Sequence, residues 1–206
     1  MKPRVIVFDF GNVIAHFDPR RAAENLAVFS PLDGETILAR VFGSALEFAL
    51  DSGQISPATF RDELREVIEA THGTDAELDF AFSDMFTRND AICDVLPALV
   101  ERGFRLLLLS NTNAPHAERF AQQFAGDLAR FEHLVLSHEV GARKPDQRIY
   151  DACQARAGCS PEEILFVDDR ADNIVAAQTR GWNVVHYHPF HGLPAPLRGL
   201  LNERTL

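Results

Sequence analysis

Two acidic positions stand where a carboxylate could do chemistry. Asp9 closes the apolar run Val5 to Phe8 and is followed by Phe10-Gly11-Asn12, and Asp168-Asp169 close a similar run, Ile164 to Val167. Ser110-Asn111-Thr112-Asn113 follow a third run, Phe104 to Leu109, and Lys144 lies in Gly141-Ala142-Arg143-Lys144-Pro145, a basic residue beside a rigid proline. A carboxylate can act as a nucleophile on phosphorus when a cation offsets its own charge and that of the phosphate. Mg²⁺ is such a cation, and it takes hard oxygen ligands of the kind these aspartates offer.

To act together these residues must be brought to one place, and the runs that precede them suggest how. They read as buried parallel strands, with Leu134 to Leu136 and Trp182 to His186 as further members. Helical spacing fills Ala91 to Arg102, Ala114 to Phe124, Gln147 to Ala157 and Asp172 to Arg180, several of them ended by glycine. Strands alternating with helices predict an α/β fold, a doubly wound parallel sheet, in which ligands gather at the carboxyl ends of the strands. Residues 18–88 break the rhythm. They carry helical spacing over Pro19 to Phe29, Gly34 to Phe42, Pro57 to Ala70 and Asp75 to Phe86 with no convincing strand, so the expectation is a helical insert, residues 18–88, in a core made of residues 1–17 and 89–206. Phe42, Phe48, Phe80, Phe82 and Phe86 are expected to form the insert's own core and its packing against the sheet, and Leu193 to Leu206 a short closing helix.

The formal net charge of −10 argues against nucleic acid and anionic membrane as partners, because both are held mainly by basic surface. A phosphate-bearing ligand would then need a local site or a metal ion. The cysteines Cys93, Cys153 and Cys159 include no closely spaced pair, and the apolar run after Arg4 is too short for a signal peptide or a membrane span. A soluble, cytoplasmic protein is expected.

Phe8-Asp9-Phe10-Gly11-Asn12-Val13-Ile14, Ser110-Asn111, Lys144-Pro145 and Asp168-Asp169-Arg170-Ala171-Asp172-Asn173 resemble, in order, the four motifs of the haloacid dehalogenase superfamily. Asp-x-Gly-Asn-Val with Ser-Asn-Thr-Asn and Arg-Lys-Pro is more narrowly similar to its α-D-glucose-1-phosphatase branch. The resemblance implies a Rossmann-like core with a small helical cap, and a Mg²⁺-dependent phosphatase acting on a small phosphomonoester such as a hexose 1-phosphate. It also implies roles. Asp9 is the nucleophile that carries the phosphoryl group. Asp9, Asp169, the Gly11 carbonyl and, in support, Asp168 hold Mg²⁺. Ser110 and Asn111 bind the phosphoryl oxygens, Lys144 neutralises the transferring group and orients Asp9, and Asn173 helps to place the lysine or the metal's waters.

Gly11 departs from the common pattern, which has a second aspartate there to protonate the leaving oxygen and activate water. A general acid is worth about 10²–10⁴ in rate. An anomeric oxygen leaves more easily than an ordinary alkoxide, which favours a sugar 1-phosphate, and His16 and Asp18 are candidates to activate water. Each residue also has a plainer reading. Asp9 could be a solvated strand-end acid, Asp168-Asp169 a helix cap, Lys144 a surface lysine, Asn173 an ordinary helix residue, and His186, His188 and His191 a structural or solvated group. Ser110 lacks the Gly-x-Ser-x-Gly turn of a serine nucleophile. The rival activities are a 2-haloacid dehalogenase, a phosphomutase, and a noncatalytic phosphate- or partner-binding protein of the same fold.

Overall fold

The computed structural model describes residues 3–202. The chain forms β1 (Val5–Phe8) and β2 (Ala15–Phe17), then α1 (Pro19–Ala27), α2 (Gly34–Val41), α3 (Ala45–Asp51), α4 (Pro57–Val67) and α5 (Asp75–Ser83), and returns through β3 (Phe86–Arg88). Beyond it come α6 (Asp90–Cys93), α7 (Leu96–Glu101), β4 (Arg105–Ser110), α8 (Ala114–Gln123), α9 (Ala125–Leu128), β5 (His133–Leu136) and α10 (Ser137–Val140). The last elements are α11 (Gln147–Ala157), β6 (Ile164–Asp168), α12 (Ala171–Thr179), β7 (Asn183–His186) and α13 (Ala195–Asn202).

Five strands make one parallel sheet in the order β5-β4-β1-β6-β7. Strand residues alternate between two apolar layers, as the two-residue period of a strand requires. Ile6, Phe8, Leu106, Leu108 and Val167 face one layer, and Val5, Val7, Leu107, Leu109 and Phe166 the other. Both faces are thus buried, which explains why these strands read as unbroken apolar runs. The strand order reverses beside β1. The crevice at the carboxyl ends there is the usual ligand site of an open α/β sheet.

The helices α1 to α5 bury one another around Leu26, Ile37, Phe60, Leu64 and Phe82, a third core separate from the two on the sheet. Helix starts follow from side-chain caps: Asp18, Asp33, Ser44, Ser56 and Thr74 each accept from a backbone N–H of the first turn. Several expectations are corrected here. The strand β3 lies at the end of the segment read as helical and pairs antiparallel with β2, Phe17 opposite Phe86, so the chain enters and leaves the helical layer through one two-stranded ribbon. Helix α5 accordingly stops at Ser83 and not at Phe86. The helix expected over Ala91 to Arg102 is two, because Pro97 has no N–H to donate and its ring crowds the carbonyl of Cys93. Helix α3 is an addition, signalled by Ser44-x-x-Glu47, the spacing of a capping box. Phe48 and Phe80 are not core: about half of each is exposed, under the guanidinium groups of Arg143 and Arg119 respectively. The closing helix runs over Ala195–Asn202, and Glu203 to Leu206 lie outside the described residues.

The helical layer meets the sheet layer at Gly53, just after α3. Gly53 has φ +65°, and a Cβ there would lie 2.3 Å from the carbonyl oxygen of His138. Nearby, Ser137 Oγ lies 2.6 Å from the Asp51 carbonyl and accepts from Thr112 N at 2.8 Å. A left-handed conformation alone costs a residue with a Cβ about 1–2 kcal/mol. Gly53→Ala should therefore lower unfolding free energy by at least that amount in urea titrations. Gly126→Ala, in open space on α9, should not destabilise.

Candidate active site

Register builds the site. Phe8 pairs with Leu108 on one side and Val167 on the other, so the next residues, Asp9, Leu109 and Asp168, come level at the sheet's carboxyl edge. Asp9 N donates to Val167 O at 2.9 Å, holding this alignment one residue past the strand. Into it projects Lys144 from the loop after α10, across a cis Lys144–Pro145 peptide. Its Nζ lies 2.7 Å from Asp9 Oδ1, 2.8 Å from Asp168 Oδ2 and 2.8 Å from the Leu109 carbonyl. Asp9, Lys144 and Asp168 are all buried, so the plain readings of a solvated acid and a surface lysine do not describe them.

Asp9, Asp168 and Asp169 offer carboxylate oxygens within 4.8 Å of one another. One lysine faces three carboxylates, which leaves an excess of negative charge in a desolvated place. Burial pushes the Asp9 carboxyl above its ordinary range, Lys144 pulls it back, and Asp168 and Asp169 raise it again. Asp169 is also raised, by burial first. Lys144 is held above its usual value because Asp168 and Asp9 together outweigh the burial that would lower it. The donor set is all hard oxygen, short of positive charge, and fits a divalent cation.

The three carboxylates are not equivalent. Both oxygens of Asp168 take protein donors: Oδ1 from Arg170 N at 2.8 Å and Asn173 Nδ2 at 3.1 Å, Oδ2 from Lys144 and again from Asn173 Nδ2 at 3.1 Å. Asn173 is thereby brought to the site as a buried clamp on Asp168. Asp169 Oδ2 accepts from Asn12 Nδ2 at 2.9 Å. Asn12 itself has φ +57°, a conformation that asparagine tolerates better than most residues. Among the described residues no hydrogen bond is made to Asp9 Oδ2, whereas Oδ1 also accepts from Phe10 N at 2.7 Å.

A cavity of about 700 Å³ opens on this cluster. Asp9, Gly11, Ser110, Asn111, Lys144, Asp169 and Asn173 line it on the sheet side. Asn111 grips the backbone of Lys144 from both ends of its amide, with Nδ2 donating to the Lys144 carbonyl at 3.0 Å and Oδ1 accepting from Lys144 N at 2.7 Å. One amide hydrogen is left for a ligand. His16 and Asp18 are not brought to the cavity. His16 stacks on Phe190 with ring centroids 4.7 Å apart, and Asp18 caps α1 by accepting from Arg20 N. His186, His188 and His191 form a row of mutually tilted rings in which His186 Nε2 lies 2.9 Å from the Asp169 carbonyl.

The helical layer supplies residues that the motifs do not contain, among them Phe42, Glu47, Phe48 and Asp51 from α2 to α3. Asp51 Oδ1 accepts from Asn113 Nδ2 at 2.8 Å, and its Oδ2 lies 3.3 Å from Arg143. Burial raises the Asp51 carboxyl, with Arg143 and Asn113 opposing. In the sequence only the capping spacing of α3, which sets Glu47 and Asp51 one turn apart, pointed to this wall.

No helix among the described residues is long and apolar enough to cross a membrane. The profile of haloacid dehalogenase-like hydrolases matches residues 3–179. The chain is 28% identical over 194 residues to the D-ribitol-5-phosphate phosphatase of Bacteroides thetaiotaomicron, covering 91% of this chain and 92% of that protein. A HAD family enzyme from the same organism, solved with magnesium and inorganic phosphate, superposes with a TM-score of 0.81 at 26% identity, over 92% of this chain and 96% of the other. A predicted HAD-like hydrolase from Porphyromonas gingivalis superposes with a TM-score of 0.83 at 26% identity over 99% and 100%. With a profile match across most of its length and an ordered acidic site at the strand ends, this chain belongs to the haloacid dehalogenase-like hydrolase family.

Proposed function

We propose that the protein is a Mg²⁺-dependent phosphatase of small sugar phosphates, with hexose 1-phosphates preferred, working through an aspartyl phosphate on Asp9. The observation that carries this reading is the position of Asp9: buried at the sheet edge, 2.7 Å from Lys144, and open to the cavity. Asp9 Oδ2 is the oxygen free to attack phosphorus. Lys144, held by Asp168, the Leu109 carbonyl and the Asn111 amide, keeps its charge on the transferring group and fixes Asp9 from the other oxygen. Ser110 and the remaining Asn111 hydrogen donate to the phosphoryl oxygens. Mg²⁺ would be held by Asp9, Asp169 and the Gly11 carbonyl, with Asp168 in support, and when bound it supplies the positive charge that lets two anions meet. Residues 18–88 act as the cap over the cavity, and their polar wall of Glu47 and Asp51 suits a hydroxyl-rich substrate.

Attack on the carbon of a haloacid needs no cation, so three converging carboxylates favour the phosphatase over the dehalogenase. The similarity to a pentitol phosphatase supports a sugar phosphate, and Gly11, which leaves the first motif without an acid of its own, supports one whose leaving oxygen needs the least help from a proton donor elsewhere in the cavity. The test is phosphate release from hexose 1-phosphates, hexose 6-phosphates and pentitol 5-phosphates, with Mg²⁺ and then with a chelator. Release should be lost in chelator, return with added Mg²⁺ and be fastest for the 1-phosphates. Release that persists undiminished in chelator would refute the role given to the metal, and equal rates across the panel would refute the preference.

A further inference from the structure

Displacing an oxygen from phosphorus raises two proton problems, and the phosphatase reading on which this inference rests leaves both open. The departing alkoxide needs a proton, and the water that later cleaves the aspartyl phosphate must lose one. At the cavity, most ionisable groups are committed. Asp9 and Asp169 belong to the acidic cluster, and Lys144 is spent between Asp9 and Asp168. Asp172 is paired with Arg170 at 2.9 Å and lowered by it. Asp51 has one oxygen on Asn113 and the other facing Arg143. The His116 ring has its Nδ1 3.0 Å from Asn113 Nδ2, and burial pushes it down to about 3, so it stays neutral in ordinary buffers.

Glu47 is the exception. It lies in the first turn of α3, on the cavity wall, with Oε2 accepting from Gly43 N at 2.6 Å and no hydrogen bond to Oε1 among the described residues. The charged groups around it are Asp51, one turn along α3, and Arg143 from the sheet side, itself stacked 4.0 Å over Phe48 and facing Arg170. Burial raises the carboxyl most, Asp51 adds to this, and the Gly43 N–H and Arg143 oppose, leaving it pushed up to about 7.

We propose that Glu47 carries the proton in both halves of the reaction. In the first half the Asp9 oxygen bonds to phosphorus, the bond from phosphorus to the leaving oxygen breaks, and that oxygen's electron pair takes the proton of Glu47. In the second half the Glu47 carboxylate takes a proton from water as the water oxygen bonds to phosphorus, and the bond to Asp9 breaks. The sum is ester and water to alcohol and phosphate, with Asp9 and Glu47 returned to their starting forms. The acid that Gly11 cannot supply is thus provided from the helical layer, by a residue on the cavity wall.

The experiment compares wild type with Glu47→Gln on a series of phosphates whose leaving groups run from 4-nitrophenol through phenol to a simple alcohol, following kcat/KM against pH. Proton donation matters more as the leaving group becomes more basic, so the loss in Glu47→Gln should grow down the series, from less than about tenfold for 4-nitrophenyl to about 10²–10⁴ for the alkyl ester. The wild-type profile for the alkyl ester should fall as pH rises through about 7, where Glu47 loses its proton, and the variant should lack that limb. A uniform loss along the series, no loss, or a retained alkaline limb overturns the proposal. Should Glu47→Gln not fold, Glu47→Asp decides by the same series: a steepening loss supports it, a uniform one overturns it. Asp9→Asn separates this from the parent reading, because activity surviving in that variant removes the aspartyl phosphate itself, whereas failure of the Glu47 series alone leaves it standing.

Discussion

Asp9→Asn should lower phosphate release from any phosphomonoester by about 10⁴-fold or more, with the protein still folded. The amide has nearly the same volume and can still accept from Lys144 and Phe10 N, so the packing at the sheet edge is retained. Its oxygen cannot serve as the attacking anion. Stability supplies a second readout. A carboxyl whose folded pKa lies above its unfolded value favours the fold at low pH and opposes it once pH rises past the unfolded pKa. Asp9 is such a group, raised by burial and by its acidic neighbours. Metal-free Asp9→Asn should therefore melt at or above the wild-type temperature at neutral pH and gain less from added Mg²⁺. Near wild-type turnover in this variant would rule out the nucleophile assignment, and a melting temperature far below wild type would show that activity was lost through the fold.

Lys144→Met carries the largest expected effect on stability. The side chain is buried with its charge between Asp9 and Asp168, and Met fills similar volume without the cation. Removing one partner of a buried ion pair leaves uncompensated charge and costs about 3–5 kcal/mol. Here two carboxylates are left facing one another, and the Leu109 carbonyl loses its side-chain donor. The loss should be read from urea unfolding at neutral pH in chelator. It should shrink as pH is lowered and Asp9, whose carboxyl burial has raised, takes a proton, and added Mg²⁺ should recover part of it. Turnover should fall as well, because Lys144 is the fixed charge beside the nucleophile. A variant as stable as wild type at neutral pH would mean that the lysine does not compensate this cluster.

How much of this was legible beforehand differs by residue. Asp9, Ser110 and Asp168-Asp169 could be grouped because each closes an apolar run, and in a parallel sheet the ends of such runs converge at one edge. The helix boundaries around residues 91–102 were lost to a local competitor, Pro97, that a periodic pattern does not weigh. Strand β3 was invisible because three residues carry no period, and its partner β2 lies about seventy residues earlier. His16 and Asp18 stood close to Asp9 in sequence, yet the ribbon and the first cap of α1 carry them away from the cavity.

The residue types and their order along the chain determined the parallel α/β sheet, the acidic cluster at its edge and the family. These depend on local patterning, and local patterning is written in sequence. Only the tertiary structure decided which atoms of Asp9 and Asp168 are already engaged, that Asn111 and Asn173 serve as clamps, and that Glu47 and Asp51 share a cavity with Asp9 across a separation of some forty residues. Those outcomes come from the register of β1 against β4 and β6 and from the docking of the helical layer at Gly53. Both are long-range contacts, set by how surfaces pack and not by any spacing a single chain displays.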